Sequence, residues 1–505
     1  MLDNTEFEFD DVQGIVHFAH AQMVETCFLL LKIRDSTLAK KWLAQAPVTT
    51  AVKSPERSRP ETALQIAFTA AGLQKLGVKE TVIAGFSDEF LSGMTNANRS
   101  RRLGDIGNNA PEYWHWGGSE EDTPDALLML YAVESGLDAW KQQVTGQQFE
   151  QAFSQNILPT NTRVKDEPFG FADGISQPVI DWHREQSTDT HRRDQYSNLL
   201  AAGEIVLGYP NEYGYYTDRP LITSADDGPA EILPGAEDNP RLRDLGRNGT
   251  YLVLRQLQQD VPGFWKYVDQ AADGDTKNRK KLAAAMVGRK RDGTPLMPTV
   301  KGDVAGTPEK HSKLNNFNYA ADPKGQVCPV GAHIRRSNPR TGDFPPDVAG
   351  PISRLIRTLG FGRDSPTEDL VASTRFHRML RRGRPYGLRL KPADAVAAID
   401  DRDERGLQFI CLCGNISRQF EFVQNAWIVN GKFDGLQDET DPLLGNRQPL
   451  MDGSPTDNFS ILQFSGPRKC LTGMPQFVTV RGGAYFFLPG IRALKYLAES
   501  SGPGK

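Results

Sequence analysis

A strand-then-helix pattern runs through the first part of the chain and starts again halfway along it, and this recurrence limits the possible folds more than any other feature. Residues 26–33 form a dense apolar run that predicts a strand, and residues 36–44 predict a helix. A second strand over 63–69 leads into a helix over 70–77, with Gly77 as its stop. A third strand over 125–133 precedes a helix over 135–144. The pattern resumes at 249–257, where a strand enters a helix over 261–272 through Pro262, a residue suited to a first helical turn. A strand over 407–413 with a helix over 416–429, strands over 477–480 and 484–487, and a helix over 491–499 complete it. Alternating elements in two similar halves predict an α+β chain of two related sheet-plus-helix domains. The divide falls within residues 217–248, rich in Pro, Gly and Asp, where a ligand cleft is expected.

Composition removes several function classes. At 505 residues and 38% hydrophobic, the chain can bury the cores of two or three domains. Lys+Arg 59 against Asp+Glu 63 leaves a net charge of −4, so no basic field argues for nucleic acid. The short runs Lys280-Lys281 and Arg289-Lys290-Arg291 read as solvated helix ends or loop. No stretch approaches the roughly 18 apolar residues of a membrane span, so no membrane partner is expected. The N-terminal residues are acidic where a signal peptide starts basic and turns apolar, which predicts a cytoplasmic location. A secreted protein whose leader had been removed would read the same. The five cysteines, Cys27, Cys328, Cys411, Cys413 and Cys470, are odd in number and scattered, which suits core thiols better than a disulfide framework. Cys411 and Cys413 alternate with apolar residues in a strand and should pack on one face.

Chemistry is concentrated in two stretches. Gly170-Phe171-Ala172-Asp173-Gly174 sets a carboxylate between glycines and apolar groups, where it could stand at a pocket wall and move a proton. The plainer reading is a turn capped by Asp173. Residues 288–350 lack regular periodicity and carry His311, then Cys328-Pro329-Val330-Gly331-Ala332-His333-Ile334-Arg335-Arg336. Either histidine could be a ligand or a satisfied structural group, and the arginines could form a salt-bridge patch.

Taken together, Asp173, His311, Arg335 and the segment Gln419-Phe420-Glu421-Phe422-Val423-Gln424 resemble the dye-decolorizing peroxidases, a heme-enzyme family, in its large fungal-like or related bacterial subgroup. Supporting strings are Asp11-Val12-Gln13-Gly14, His333-Ile334-Arg335, Arg382-Gly383-Arg384-Pro385-Tyr386-Gly387 and the block from Arg405 to Gln424. Their order and spacing carry the resemblance, which spans most of the chain. It implies two ferredoxin-like domains with antiparallel sheets and peripheral helices, over residues 1–230 and 231–505. The first would carry the Asp motif, and heme would lie between the domains or within the second.

The resemblance also implies roles. Asp173 would move a proton between the oxygens of hydrogen peroxide as general base and then acid, leaving water and a ferryl heme. Arg335 would stabilise charge on the departing oxygen, with Arg336 as its neighbour-by-one competitor on an extended segment. His311 would be the axial ligand of one heme b per chain, with His333 near the heme edge and a competing ligand. Glu421 is the candidate carboxylate behind the ligand histidine. The family's apolar residue followed two positions later by Phe would be met by Ile410 and Leu412. Expected substrates are hydrogen peroxide and organic donors such as dyes or phenols, with Mn(II) a further option, in a monomer or homodimer. Bulky donors would be reached through a surface Trp or Tyr, although most of the seven tryptophans should be core. A heme-handling protein with incidental peroxidase activity and a non-catalytic ferredoxin-like dimer are the competing classes.

Overall fold

The computed structural model describes residues 7–53, 60–160, 166–184, 198–225, 227–299, 314–340, 373–398, 401, 403–450 and 453–500. In the first half, β1 (Glu25–Ile33), β2 (Thr62–Phe68), β3 (Ala126–Ala132) and β4 (Phe153–Leu158) are the principal strands. In the second half they are β5 (Thr250–Gln259), β6 (Leu380–Arg381), β7 (Arg384–Tyr386), β8 (Gly406–Cys413) and β9 (Val478–Leu488). These form one nine-stranded sheet in the order β6-β8-β5-β9-β2-β3-β1-β4, with β7 also on β8, and every pairing is antiparallel. The two expected sheets are therefore continuous, joined where Phe487 of β9 meets Phe68 of β2.

The strands read as unbroken apolar runs because both faces of the sheet are covered. Leu29, Leu64, Leu128, Val253, Cys411, Cys413 and Phe487 fill the core on one face, together with residues of α1 (Ser36–Leu43), α2 (Ala70–Lys75), α3 (Leu137–Val144) and α7 (Ile491–Glu499). Their alternate neighbours Phe28, Leu30, Leu127, Met129, Leu252, Leu254, Ile410, Leu412 and Phe486 fill the other. Cys411 and Cys413 share a face, and all five cysteines are free thiols, with only Cys470 exposed. A third core joins Leu257, Val478 and Val480 to α4 (Val261–Gln270) and α5 (Thr276–Val287). Pro262 stands in the first turn of α4, and Asp260 caps it by accepting from Gly263 N–H. Helix α5 adds an element to the expected set. Lys280 and Lys281 lie exposed on it, whereas Arg289 just beyond is 4% exposed, against the solvated reading of that run.

Two elements differ locally from their expected form. The two strands expected over 477–487 are one, with a bulge between Val480 and Gly482. Gly482 leaves space for Trp116, whose indole N–H donates to Gln256 Oε1 (2.8 Å) on the neighbouring strand. A Cβ at Gly482 would lie 2.3 Å from Trp116 Nε1. The helix expected over 416–429 is wound in the wider π form over Ser417–Glu421 and Val423–Ile428. None of the tryptophans is exposed; Trp42, Trp116, Trp140, Trp265 and Trp427 are buried and Trp114 and Trp182 partly so. Among the described residues no helix is long and apolar enough to cross a membrane.

The Gly482 contact predicts that Gly482→Ala lowers stability by about 1–3 kcal/mol through overpacking against Trp116. A fall in the urea midpoint at constant slope is the expected result.

Candidate active site

A cavity opens beside the second-half sheet, between the Asp173 loop, a short helix α6 (His333–Ser337) and the π-wound segment. Its walls are largely apolar, with Leu257, Leu407, Phe409, Val423, Leu443 and Val478 among them. No residue of 217–248 lines it, so the cleft expected at the divide is not where the cavity lies. The reason is that the two halves share a sheet instead of facing each other across a seam.

The Asp173 loop is held rigidly. Gly170, at φ +90, closes a turn by donating its N–H to Glu167 O (2.8 Å). The Glu167 carboxylate accepts from Phe169 N–H (2.9 Å), Phe171 N–H (2.8 Å) and Gln259 Nε2 (3.0 Å), tying the loop to the end of β5. Burial pushes the Glu167 carboxyl up to about 7 despite those bonds. Phe169 and Phe171 point into the third core. Asp173 is left facing the cavity, 3.1 Å from Arg381 Nη1. Burial alone would raise its pKa, but the Arg381 charge, the Gly174 N–H and the Arg381 hydrogen bond outweigh it, and the carboxyl lies below the ordinary 3.8.

Strand pairing aims Arg381. Leu380 and Arg381 pair with Leu412 and Cys411 of β8, which puts Arg381 on the cavity side. Arg382 points the other way and donates to Ile15 O (2.7 Å) and Val16 O (3.1 Å). Gln177, four residues after Asp173, both accepts from Arg381 N–H (3.0 Å) and donates to Arg381 O (3.1 Å). Its amide takes the place of a neighbouring strand.

His333, which lines the same cavity, is paired with a second carboxylate. His333 Nδ1 is 3.0 Å from Asp441 Oδ2, and Asp441 is fully buried with Oδ1 accepting from Leu443 N–H (2.9 Å) and Leu444 N–H (2.8 Å). Burial works against a charged imidazole, but the Asp441 charge and hydrogen bond exceed it, so the His333 pKa is raised. Burial likewise opposes the Asp441 charge and is overcome, His333 first among the causes, so its carboxyl is lowered. With Nδ1 engaged, Nε2 is the nitrogen available to a metal. Arg289 also lines the cavity; it donates to Gly293 O, Leu314 O and Ser176 Oγ and meets no carboxylate among the described residues.

Other residues expected in the site are not seen in the cavity. His311 lies outside the described residues. Arg335 does not reach the cavity: it is 5% exposed, donates to Cys328 O (2.9 Å) and Asp322 Oδ2 (3.3 Å), and lies over the Tyr319 ring. Its segment is helical instead of extended, so His333, Ile334, Ser337 and Asn338 share the cavity face while Arg335 and Arg336 turn away. Arg336 donates to the carbonyls of Trp427, Glu439 and Asn430. Glu421 is not the partner of the His333 imidazole; it accepts from Arg99 Nη1 (2.6 Å) and Tyr485 Oη (2.8 Å). Ile410 and Leu412 face the opposite side of the sheet, and Leu407 and Phe409, one step out of phase, line the cavity. Arg381 and Asp441 are the groups that sequence reasoning missed. Arg381 immediately precedes the string Arg382 to Gly387; Asp441 has no local signal, being 108 residues from its partner.

A scan of family models finds no match. The chain is 32% identical over 468 residues to the multifunctional dye peroxidase DyP2 of Amycolatopsis sp., covering 86% of this chain and 82% of that protein. It is 28% identical over 518 residues to dye-decolorizing peroxidase AauDyP1 of Auricularia auricula-judae, covering 97% and 87%. The crystal structure of a fungal DyP-type peroxidase from Auricularia auricula-judae superposes with a TM-score of 0.70 at 25% identity, over 98% of this chain and all of that one. A dye-decolorizing peroxidase with an engineered heme pocket matches equally, at 0.70 and 25% over the same shares. Fold and relatives thus define an α+β peroxidase of the ferredoxin-like kind. The chain belongs to the dye-decolorizing peroxidase family, oxidoreductases that use hydrogen peroxide, and heme is that family's cofactor.

Because Asp441 is the main group that offsets the burial of His333, ahead of the more weakly acting Asp173, Asp441→Asn should lower the imidazole pKa. An NMR titration that left it raised would contradict this account of the pair.

Proposed function

We propose that the chain is a heme peroxidase that reduces hydrogen peroxide and oxidises dyes, phenolic compounds or similar donors, with one heme b per chain. The observation that carries this reading is the presence, in one apolar cavity, of a carboxylate–guanidinium pair and a carboxylate-braced imidazole. The donor set suits heme: Nε2 of His333 for the iron, apolar walls for the ring, and the Arg289 cation for a propionate. Bound there, heme would supply the iron at which peroxide is reduced and the store of oxidising equivalents that a donor draws on.

Asp173 takes the proton from one oxygen of hydrogen peroxide and returns it to the other, which leaves as water. Arg381 steadies the charge that builds on that leaving oxygen and keeps Asp173 ionised. Asp441 holds the His333 ring by its Nδ1 proton, which fixes the tautomer and makes Nε2 a stronger donor. Arg381 thus takes the part that the sequence suggested for Arg335, and His333 is preferred to His311 because a buried carboxylate supports it. Leu407 and Phe409 narrow the peroxide side, where they exclude water. Donors too large to enter would give up electrons at an exposed tyrosine, and Tyr113, Tyr213 and Tyr215 are exposed among the described residues.

An absorption spectrum tests the reading first. A Soret band that changes when hydrogen peroxide is added is expected, and Asp173→Asn should slow that change by about 10²- to 10⁴-fold with heme still bound. A band indifferent to peroxide would favour a heme carrier. The pH dependence has a fixed sign, since neutral Asp173 cannot accept a proton. With Arg381 present its lowered pKa keeps it ionised in acid, and without that charge burial raises it. Arg381→Leu should therefore move the acid limb of the peroxide reaction up by about 1 pH unit or more. An unmoved limb would remove Asp173 as the base.

A further inference from the structure

A methionine in the cavity wall brings a chemistry of its own. The chain has nine methionines. Of the described ones, Met23, Met94, Met129, Met286, Met297 and Met474 are at most 3% exposed and belong to the packed core. Met379 alone among the described methionines is only partly buried, and it lines the same cavity as Asp173 and Arg381. Apolar side chains of two core clusters back it, including those around Val423 and Trp427. It stands between His377 and Arg381, which also line the cavity. A thioether is a two-electron reductant, and its reaction with peroxides depends on access. Here access runs through the chamber in which the peroxidase reading has hydrogen peroxide consumed.

We propose that Met379 is a modification site, oxidised to methionine sulfoxide by the protein's own peroxide chemistry when no external donor is present. The inference rests on the peroxidase reading. The step balances without another reagent: the O–O bond of hydrogen peroxide breaks, one oxygen forms an S–O bond, and the other leaves as water with both protons. Sulfur loses two electrons and peroxide gains them. The product is a polar, chiral side chain with a strong acceptor oxygen where an apolar one had packed, two residues from the guanidinium that keeps Asp173 ionised. Met379 oxidation thus lowers activity when peroxide outruns the donor supply, and a donor spares it by drawing off the oxidising equivalents first.

The test uses the heme-loaded full chain exposed to hydrogen peroxide, with and without a dye donor, followed by peptide mass spectrometry. The Met379 peptide should gain one oxygen at least about 5-fold faster than the peptides of the buried methionines, and saturating dye should suppress that gain. Met379→Leu, which conserves volume, should keep the initial dye turnover and outlast wild type in excess peroxide. Met379 left unoxidised in protein that turns over dye overturns the proposal, as does oxidation at the same rate in heme-free protein. Equal lifetimes of wild type and Met379→Leu overturn the self-limiting role. Absence of both a Soret band and dye turnover instead takes down the peroxidase reading itself.

Discussion

Strand β8 is hydrogen-bonded along one edge to β5 and along the other to β6 and β7, and the pleat of that strand decides what the cavity contains. Successive side chains go to opposite faces, so Leu407 and Phe409 enter the cavity while Ile410 and Leu412 enter the core behind it. Residues directly opposite in register share a face, which sends Arg381, across from Cys411, the same way as Phe409. A slip of one residue would turn Arg381 out and bring Arg382 in. The large buried residues on both faces of the sheet make such a slip costly. The chemistry of the cavity is in this sense a property of the sheet register.

Asp173 and His333 are held in the cavity by opposite partners, whereas Arg289 is held by neutral acceptors. A lone ion in apolar surroundings is strongly disfavoured, and a pair whose remaining atoms are hydrogen-bonded is not. Asp173 with Arg381 and His333 with Asp441 meet that condition, the second pair with two backbone N–H groups on Asp441. Their partners are 208 and 108 residues apart in the chain. Tertiary packing alone brings them together. Each pair also sets the other's balance, since the Asp173 charge favours protonated His333 and the Arg381 charge opposes it.

What the sequence made legible follows from the same physics. Strands buried on both faces announce themselves as apolar runs, and β1, β3, β5 and β8 match their expected spans to within a residue or two. Helix α7 has its expected limits because a dense apolar periodicity crosses it. Asp173 was legible as a carboxylate among glycines and apolar groups. Its partner was not, because any of Arg335, Arg336, Arg381, Arg382 and Arg384 has the right chemistry and only the local backbone form selects one. The resemblance pointed to Arg335 on a segment expected to be extended, and the helical turn over residues 333–337 takes both Arg335 and Arg336 away from the cavity. The parity of β8 could have been read directly, since Leu407-Gln408-Phe409 has an apolar residue followed two positions later by Phe. Asp441 carries no pattern at all; its role exists only through a long-range contact.

Two carboxylates near each other in the cavity wall show how one loop separates structure from chemistry. Glu167 and Asp173 lie close enough for their charges to interact, yet burial pushes Glu167 up to about 7 while Arg381 draws Asp173 down. The carboxyl without a cation fastens the loop, through the N–H groups of Phe169 and Phe171 and through Gln259 on β5. The one with a cation is left facing the cavity. Environments that drive two like groups apart in pKa divide the roles between them. Gln177 completes the arrangement by binding both backbone groups of Arg381, so the loop that carries the carboxylate also holds the strand that carries its partner. The Asp173–Arg381 geometry therefore cannot loosen at one end alone: a shift of the loop pulls on β6, and β6 is held by the register of β8.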